Sequence, residues 1–101
     1  MYISGGENVF PVEIERFLEK DPSISQACVI GVPDARWGEV GKALLIPAPG
    51  MDINFDKIHE YLHGLSTIKH PKYYEIVNTL PINHAGKLDR KLIRKMYGGT
   101  Q

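Results

Sequence analysis

The chain is short of cysteine, of tryptophan and of net charge. It carries one cysteine and one tryptophan in 101 residues, and 12 basic residues balance 12 acidic ones. A lone Cys28 excludes an internal disulfide and fits a reducing compartment, so a cytoplasmic location is expected. It sits in the apolar segment Gln26-Ala27-Cys28-Val29-Ile30 with no histidine in evident reach, and reads as core rather than as a nucleophile. Balanced charge offers no electrostatic grip on nucleic acid. Lys87, Arg90, Lys91, Arg94 and Lys95 crowd the tail, but such a run is most simply a solvated helix face. No apolar run approaches the roughly 18 residues that a bilayer demands. Met1-Tyr2-Ile3-Ser4-Gly5-Gly6 is too short and uncharged for a cleavable leader. With no internal repeat and no low-complexity linker, residues 1–101 are expected to form one domain, too small to hold a nucleotide lobe of its own.

What is present is an alternation of short periodic segments. Tyr2 to Phe10, with Gly5 and Gly6 in its middle, predicts a hairpin or tight turn. Pro11 suits the first position of a helix whose apolar face is Ile14, Phe17 and Leu18, with Glu13 and Glu15 near its positive end. Ile24–Val32 and Glu39–Pro47 read as two partnered strands around the turn Pro33-Asp34-Ala35-Arg36. Asp52 and Asn54 offer an N-cap for a helix presenting Phe55, Ile58, Leu62 and Leu65 and ending near Gly64. Tyr73–Val77 predicts a third strand. A final helix starts at Asp89 and is expected to pack through Leu92, Ile93 and Met96, with Gly98-Gly99 fraying beyond it. The class predicted is α+β: a three-stranded sheet flanked by about three helices, with an accessory N-terminal hairpin.

Two glycine loops stand out, one near each end of the chain. Pro81-Ile82-Asn83-His84-Ala85-Gly86-Lys87-Leu88-Asp89-Arg90 puts a lysine on a glycine-hinged loop before a basic helix. Ser4-Gly5-Gly6-Glu7-Asn8 precedes Pro11-Val12-Glu13-Ile14-Glu15. Gly-Lys alone is common and carries little weight. Together with Leu80-Pro81, Leu88 and Arg90, these stretches resemble the C-terminal domain of adenylate-forming enzymes: acyl-CoA synthetases, peptide-synthetase adenylation domains and firefly luciferase. The resemblance spans essentially the whole chain. Ser4-Gly5-Gly6-Glu7-Asn8 and Arg36-Trp37-Gly38-Glu39 are similar to the fatty or aryl acid CoA-ligase branch, whereas the lysine loop suits a peptide-synthetase adenylation domain equally.

The resemblance implies a mobile domain of an AMP-forming ligase, inactive alone, whose partner is the N-terminal domain of the same polypeptide. The co-substrates implied are a small-molecule carboxylic acid of the fatty type, ATP with Mg2+, and CoA, none held tightly by this domain. Lys87 would be catalytic in adenylation. A lysine ammonium is a compact mobile charge that can lie between a carboxylate and a phosphate as negative charge builds between them. Gly86 would let the loop enter a tight cleft, and Arg90 would anchor the loop rather than touch substrate. After adenylation the domain would swing, bringing Gly5 and Gly6 to line a tunnel for the pantetheine arm of CoA with Glu7 nearby. Trp37 lies in a polar turn, where it either lids its own core or stacks on CoA. The spacer Ile82-Asn83-His84-Ala85 is less typical of the family, and His84 has no role on this reading.

Two readings compete. One is a freestanding α+β module whose loops bind a protein. The other is a zinc peptidase, because His59-Glu60-Tyr61-Leu62-His63 fits H-E-x-x-H. That pattern lacks a third ligand at a recognised spacing, and the apolar residues around it already account for the helix. No metal site is expected.

Overall fold

A computed structural model describes residues 1–98; Gly99 of the Gly98-Gly99 pair expected to fray lies outside the described residues. Strands β1 (Tyr2–Ser4) and β2 (Glu7–Val9) pair antiparallel. Gly5 and Gly6 join them at φ of 57° and 81°, the two positive angles that a tight hairpin turn with the right twist requires. Helix α1 (Pro11–Leu18) opens on its proline. Strands β3 (Ile24–Asp34) and β4 (Gly38–Pro47) form a long antiparallel ribbon, in register from Gln26↔Ile46 to Asp34↔Gly38. Helix α2 (Phe55–Tyr61) is capped by Asn54, whose side chain accepts the Asp56 N–H at 3.0 Å. It tightens into a 3₁₀ turn at Leu62–Gly64, so the predicted helix ends as α-helix at Tyr61. Strand β5 (Tyr73–Ile76) runs parallel to β4, and helix α3 (Arg90–Tyr97) is capped by Asp89.

The class is α+β, with the predicted strands β3 and β5 both paired to β4. The hairpin is continuous with them: β1 bonds to β4 at Ser4↔Gly38, beside the stretch where β5 pairs Lys42 to Leu45. The mixed sheet therefore has five strands, with β3 at one edge.

Alternation along β3 and β4 divides the core in two. Ala27, Val29, Ala43 and Leu45 face Ile14 and Leu18 of α1 and Ile58 of α2. Cys28, Ile30, Val32, Val40 and Leu44 face Val77, Leu80 and Ile93. Successive strand residues point to opposite faces, so α1 and α2 cover one face and α3 the other. The expected apolar face of α3 is narrower than predicted. Ile93 is fully buried and Tyr97 half-buried, while Leu92 and Met96 are exposed. One apolar residue per two turns is enough here because Leu80 and Leu88, from the preceding loop, fill the same cluster.

Two features were not legible from periodicity. Tyr2 lies across Gly31 and Gly41, which are register partners; a Cβ on Gly31 would sit 2.6 Å from the Tyr2 Cβ, and one on Gly41 2.5 Å from its hydroxyl. Along the outer edge of β3, the N–H groups of Ala27 and Val29 donate to Glu19 at 3.0 Å and to Glu15 at 2.7 Å. The carboxylates of α1 thus take the place of a neighbouring strand. No helix among the described residues is long and apolar enough to cross a membrane.

Candidate functional site

The lysine loop is a tight hairpin. Ile82 and Leu88 form an isolated antiparallel bridge, and Asn83 N–H donates to the Lys87 carbonyl at 2.8 Å. Gly86 N–H donates to the Asn83 carbonyl at 3.0 Å, and Gly86 itself sits at φ 78°. A side chain there would strain the backbone, though the space is open. The Asn83 side-chain oxygen accepts from Ala85 N–H at 2.9 Å and from Lys87 N–H at 3.2 Å. Residues 82–87 are all exposed, so Lys87 stands at a rim with its ammonium in solvent, and His84 is exposed at the apex. Downstream, Asp89 accepts the Leu92 N–H and its own N–H donates to the Pro81 carbonyl, closing the base of the loop.

Arg90 anchors that base, as expected. Its two terminal nitrogens donate to the two oxygens of Glu15 at 2.7 and 2.8 Å, a fork that fixes both distance and plane. The hydrogen bond to Glu15 is the main reason its guanidinium holds its proton still more firmly than usual. Glu15 was expected to serve the helix dipole; instead it is buried, and joins α1, β3 and α3 through Arg90 and Val29. Lys91, Arg94 and Lys95 stay exposed.

The second cluster is built around the N-terminal hairpin. Gly5 N–H donates to the Trp37 carbonyl at 2.9 Å, and the indole packs so closely on Gly5 that a Cβ would lie 2.9 Å from the ring. Asp34 shapes the tryptophan turn by accepting from Arg36 N–H at 2.9 Å and Trp37 N–H at 2.8 Å. The Trp37 N–H chiefly, with help from Arg36 N–H and the Lys72 ammonium, holds the Asp34 carboxyl below its ordinary range. Trp37 remains 37% exposed and roofs a cavity of about 500 Å³ lined by Val40, Ile68, His70, Pro71 and Lys72. The cavity opens where β1 and β5 share one side of β4 without meeting.

The structure thus brings Gly5 and Trp37 into contact. Gly6 stands open beside them, and Glu7 is exposed on β2. Lys87 belongs to a separate cluster. The hairpin is rooted through Tyr2 and Val9 in the core under α1, and the lysine loop through Leu80 and Leu88 in the core under α3. Asn83 as a positioning group, and Ile68 and Lys72, were not singled out from the sequence, and His70 was weighed only as an extra ligand for the H-E-x-x-H pattern. Asn83 carried a signal, since asparagine commonly folds its side chain back on a turn two residues on; the cavity lining carried none. His59 and His63 are exposed, and His63 falls in the 3₁₀ turn, which breaks the α-helical spacing that a paired ligand would use. Among the described residues no group of three or more potential metal-ligating side chains gathers.

Residues 13–87 match the family model of the AMP-binding enzyme C-terminal domain. The chain belongs to this family. As an AMP-binding enzyme C-terminal domain, it is 43% identical over 99 residues to a feruloyl-CoA synthase of Amycolatopsis sp, covering 97% of this chain and 20% of that protein. It is 38% identical over 101 residues to the long-chain-fatty-acid–CoA ligase FadD13 of Mycobacterium tuberculosis, covering 99% of this chain and again 20% of the relative. The crystal structure of ATP-bound MatB from Rhodopseudomonas palustris superimposes with a TM-score of 0.88 at 34% identity, over 97% of this chain and 20% of that one. The AMP-binding C-terminal domain described here therefore spans about a fifth of the length of the relatives it matches.

Proposed function

We propose that this domain serves an AMP-forming acyl-CoA synthetase, which converts a carboxylic acid, ATP and CoA to acyl-CoA, AMP and pyrophosphate through an acyl-adenylate. Its partner is the N-terminal domain of the same polypeptide, which holds the acid, most of the ATP contacts and the accompanying Mg2+. The observation that carries this reading is the exposed Lys87 on a glycine-hinged hairpin with a rigid base. A mobile point charge on a fixed platform can be inserted between two anions and withdrawn again. In adenylation the acid's carboxylate oxygen attacks the α-phosphorus, and pyrophosphate leaves with the electron pair of the broken bond. The Lys87 ammonium stabilises the negative charge that gathers on the bridging oxygens, a gain greater in the transition state than in the ground state.

Gly5, Gly6, Glu7 and Trp37 take part in the second step, in which the CoA thiol displaces AMP from the acyl-adenylate. Gly6, with open space where a side chain would stand, lets the CoA arm approach the backbone, and the cavity beneath Trp37 offers an apolar wall with Lys72 at its margin for a phosphate. The rooting of the two loops in opposite cores supports alternation: turning one toward a shared cleft withdraws the other.

The decisive experiment compares the full-length ligase with its Lys87→Ala variant in two half-reactions. Adenylation from acid and ATP should fall about a hundred- to a thousandfold. Thioester formation from preformed acyl-adenylate should persist. If adenylation survives the substitution, Lys87 is ordinary surface charge and the reading is wrong.

A further inference from the structure

Every residue from Ile82 to Lys87 is exposed, so no core packing holds the segment that carries the lysine. Its shape rests on the few bonds within the turn. Two are backbone bonds, from Asn83 N–H to the Lys87 carbonyl and from Gly86 N–H to the Asn83 carbonyl. The other two converge on one atom, the side-chain oxygen of Asn83, which accepts from Ala85 N–H at 2.9 Å and from Lys87 N–H at 3.2 Å. That second bond ends on the peptide nitrogen of the lysine itself. The Asn83 carboxamide thus joins the backbone bond at the Lys87 carbonyl in fixing the peptide from which the Lys87 side chain leaves.

We propose that Asn83 is a positioning residue for Lys87, an inference that rests on the reading of Lys87 as the adenylation lysine. Asn83 acts through the lysine and needs no contact with substrate. The cost of losing it falls on geometry rather than on stability. The freed N–H groups of Ala85 and Lys87 are already at the surface and exchange the carboxamide for water, so the fold loses little. The loop then samples a wider set of conformations, and a misplacement of about 1 Å at a catalytic group lowers the rate by on the order of a hundredfold. A serine at the same place keeps a side-chain acceptor for the N–H two residues on, though a weaker one.

The test measures both half-reactions in the full-length ligase for wild type, Asn83→Ala, Asn83→Ser and Lys87→Ala, together with thermal unfolding of each. Asn83→Ala should lower kcat and kcat/KM for adenylation together, by about ten- to a hundredfold. Thioester formation from preformed acyl-adenylate and the melting temperature should stay at wild-type values. Asn83→Ser should recover most of the lost adenylation. If Asn83→Ala adenylates at the wild-type rate while Lys87→Ala does not, the positioning role is refuted and the lysine's role stands. A parallel fall in both half-reactions, or no recovery with serine, likewise overturns positioning. Should Lys87→Ala itself adenylate normally, the failure lies with the reading of the lysine.

Discussion

At the residue scale two buried titrating groups, Glu15 and Cys28, lie close together at the base of the lysine loop. Glu15 holds Arg90 and the Val29 N–H at once, so a single carboxylate ties the lysine loop's base to two other elements. Cys28, close by, has only a long contact, from an Arg90 N–H to its sulfur at 3.9 Å. Burial first, and the negative charge of Glu15 second, push its thiol from an ordinary 9.0 up to about 11. Burial likewise pushes the Tyr2 and Tyr74 hydroxyls from 10.0 up to about 12, with Glu39 adding to the effect at Tyr2. Each group keeps its proton in the folded chain at a pH where the unfolded chain has released it. The unfolded state then binds fewer protons, so stability falls as pH rises. The urea midpoint should therefore decline from about pH 9, first through Cys28 and then through the tyrosines. In Cys28→Ala the decline between about pH 9 and 10 should vanish and the slope above pH 10 should shrink to what the tyrosines give; an unchanged slope from pH 9 would reassign it.

At the scale of the elements, the hairpin is held less by strand pairing than by Tyr2, since β1 meets β4 at the one pair Ser4↔Gly38. The Tyr2 ring lies over Gly31 and Gly41, and its buried hydroxyl has no hydrogen-bond partner among the described residues. Gly41→Ala places a methyl where that hydroxyl is and should cost about 1–3 kcal/mol in equilibrium unfolding. Tyr2→Phe removes the crowded atom and should recover part of that loss in the double variant. Strictly additive effects would mean the two sites do not meet. The sequence spelled out the element order, because the periods of two and of about 3.6 are local, and so are the proline and asparagine signals at helix starts. It could not reveal that Tyr2 needs two bare glycines, or that Glu15 finds Arg90 at a separation of 75 residues. Long-range pairs leave no local trace. The same limit explains α3, whose exposed Leu92 and Met96 match a helical pattern as well as buried residues would. Asn83 lay within reach, as a turn-forming residue at a turn, but its second bond to Lys87 depends on the loop's closure.

On the scale of the whole molecule, two cores back to back on one sheet each root one of the two loops. The candidate site is accordingly half a site. Neither loop closes a pocket around an acid, and the cavity beneath Trp37 is apolar with Lys72 at its margin. Incubated alone with ATP, CoA and a panel of fatty acids, the 101-residue chain should form no thioester; robust turnover would contradict the division of labour proposed above. The edge of β3 bears on how such a part survives away from its partner. An unpaired strand edge is a template on which another chain can add a strand. Glu15 and Glu19 occupy that edge with their carboxylates, so the Ala27 and Val29 N–H groups are not free to template another strand, and the carboxylate that anchors the base of the lysine loop also closes the sheet edge.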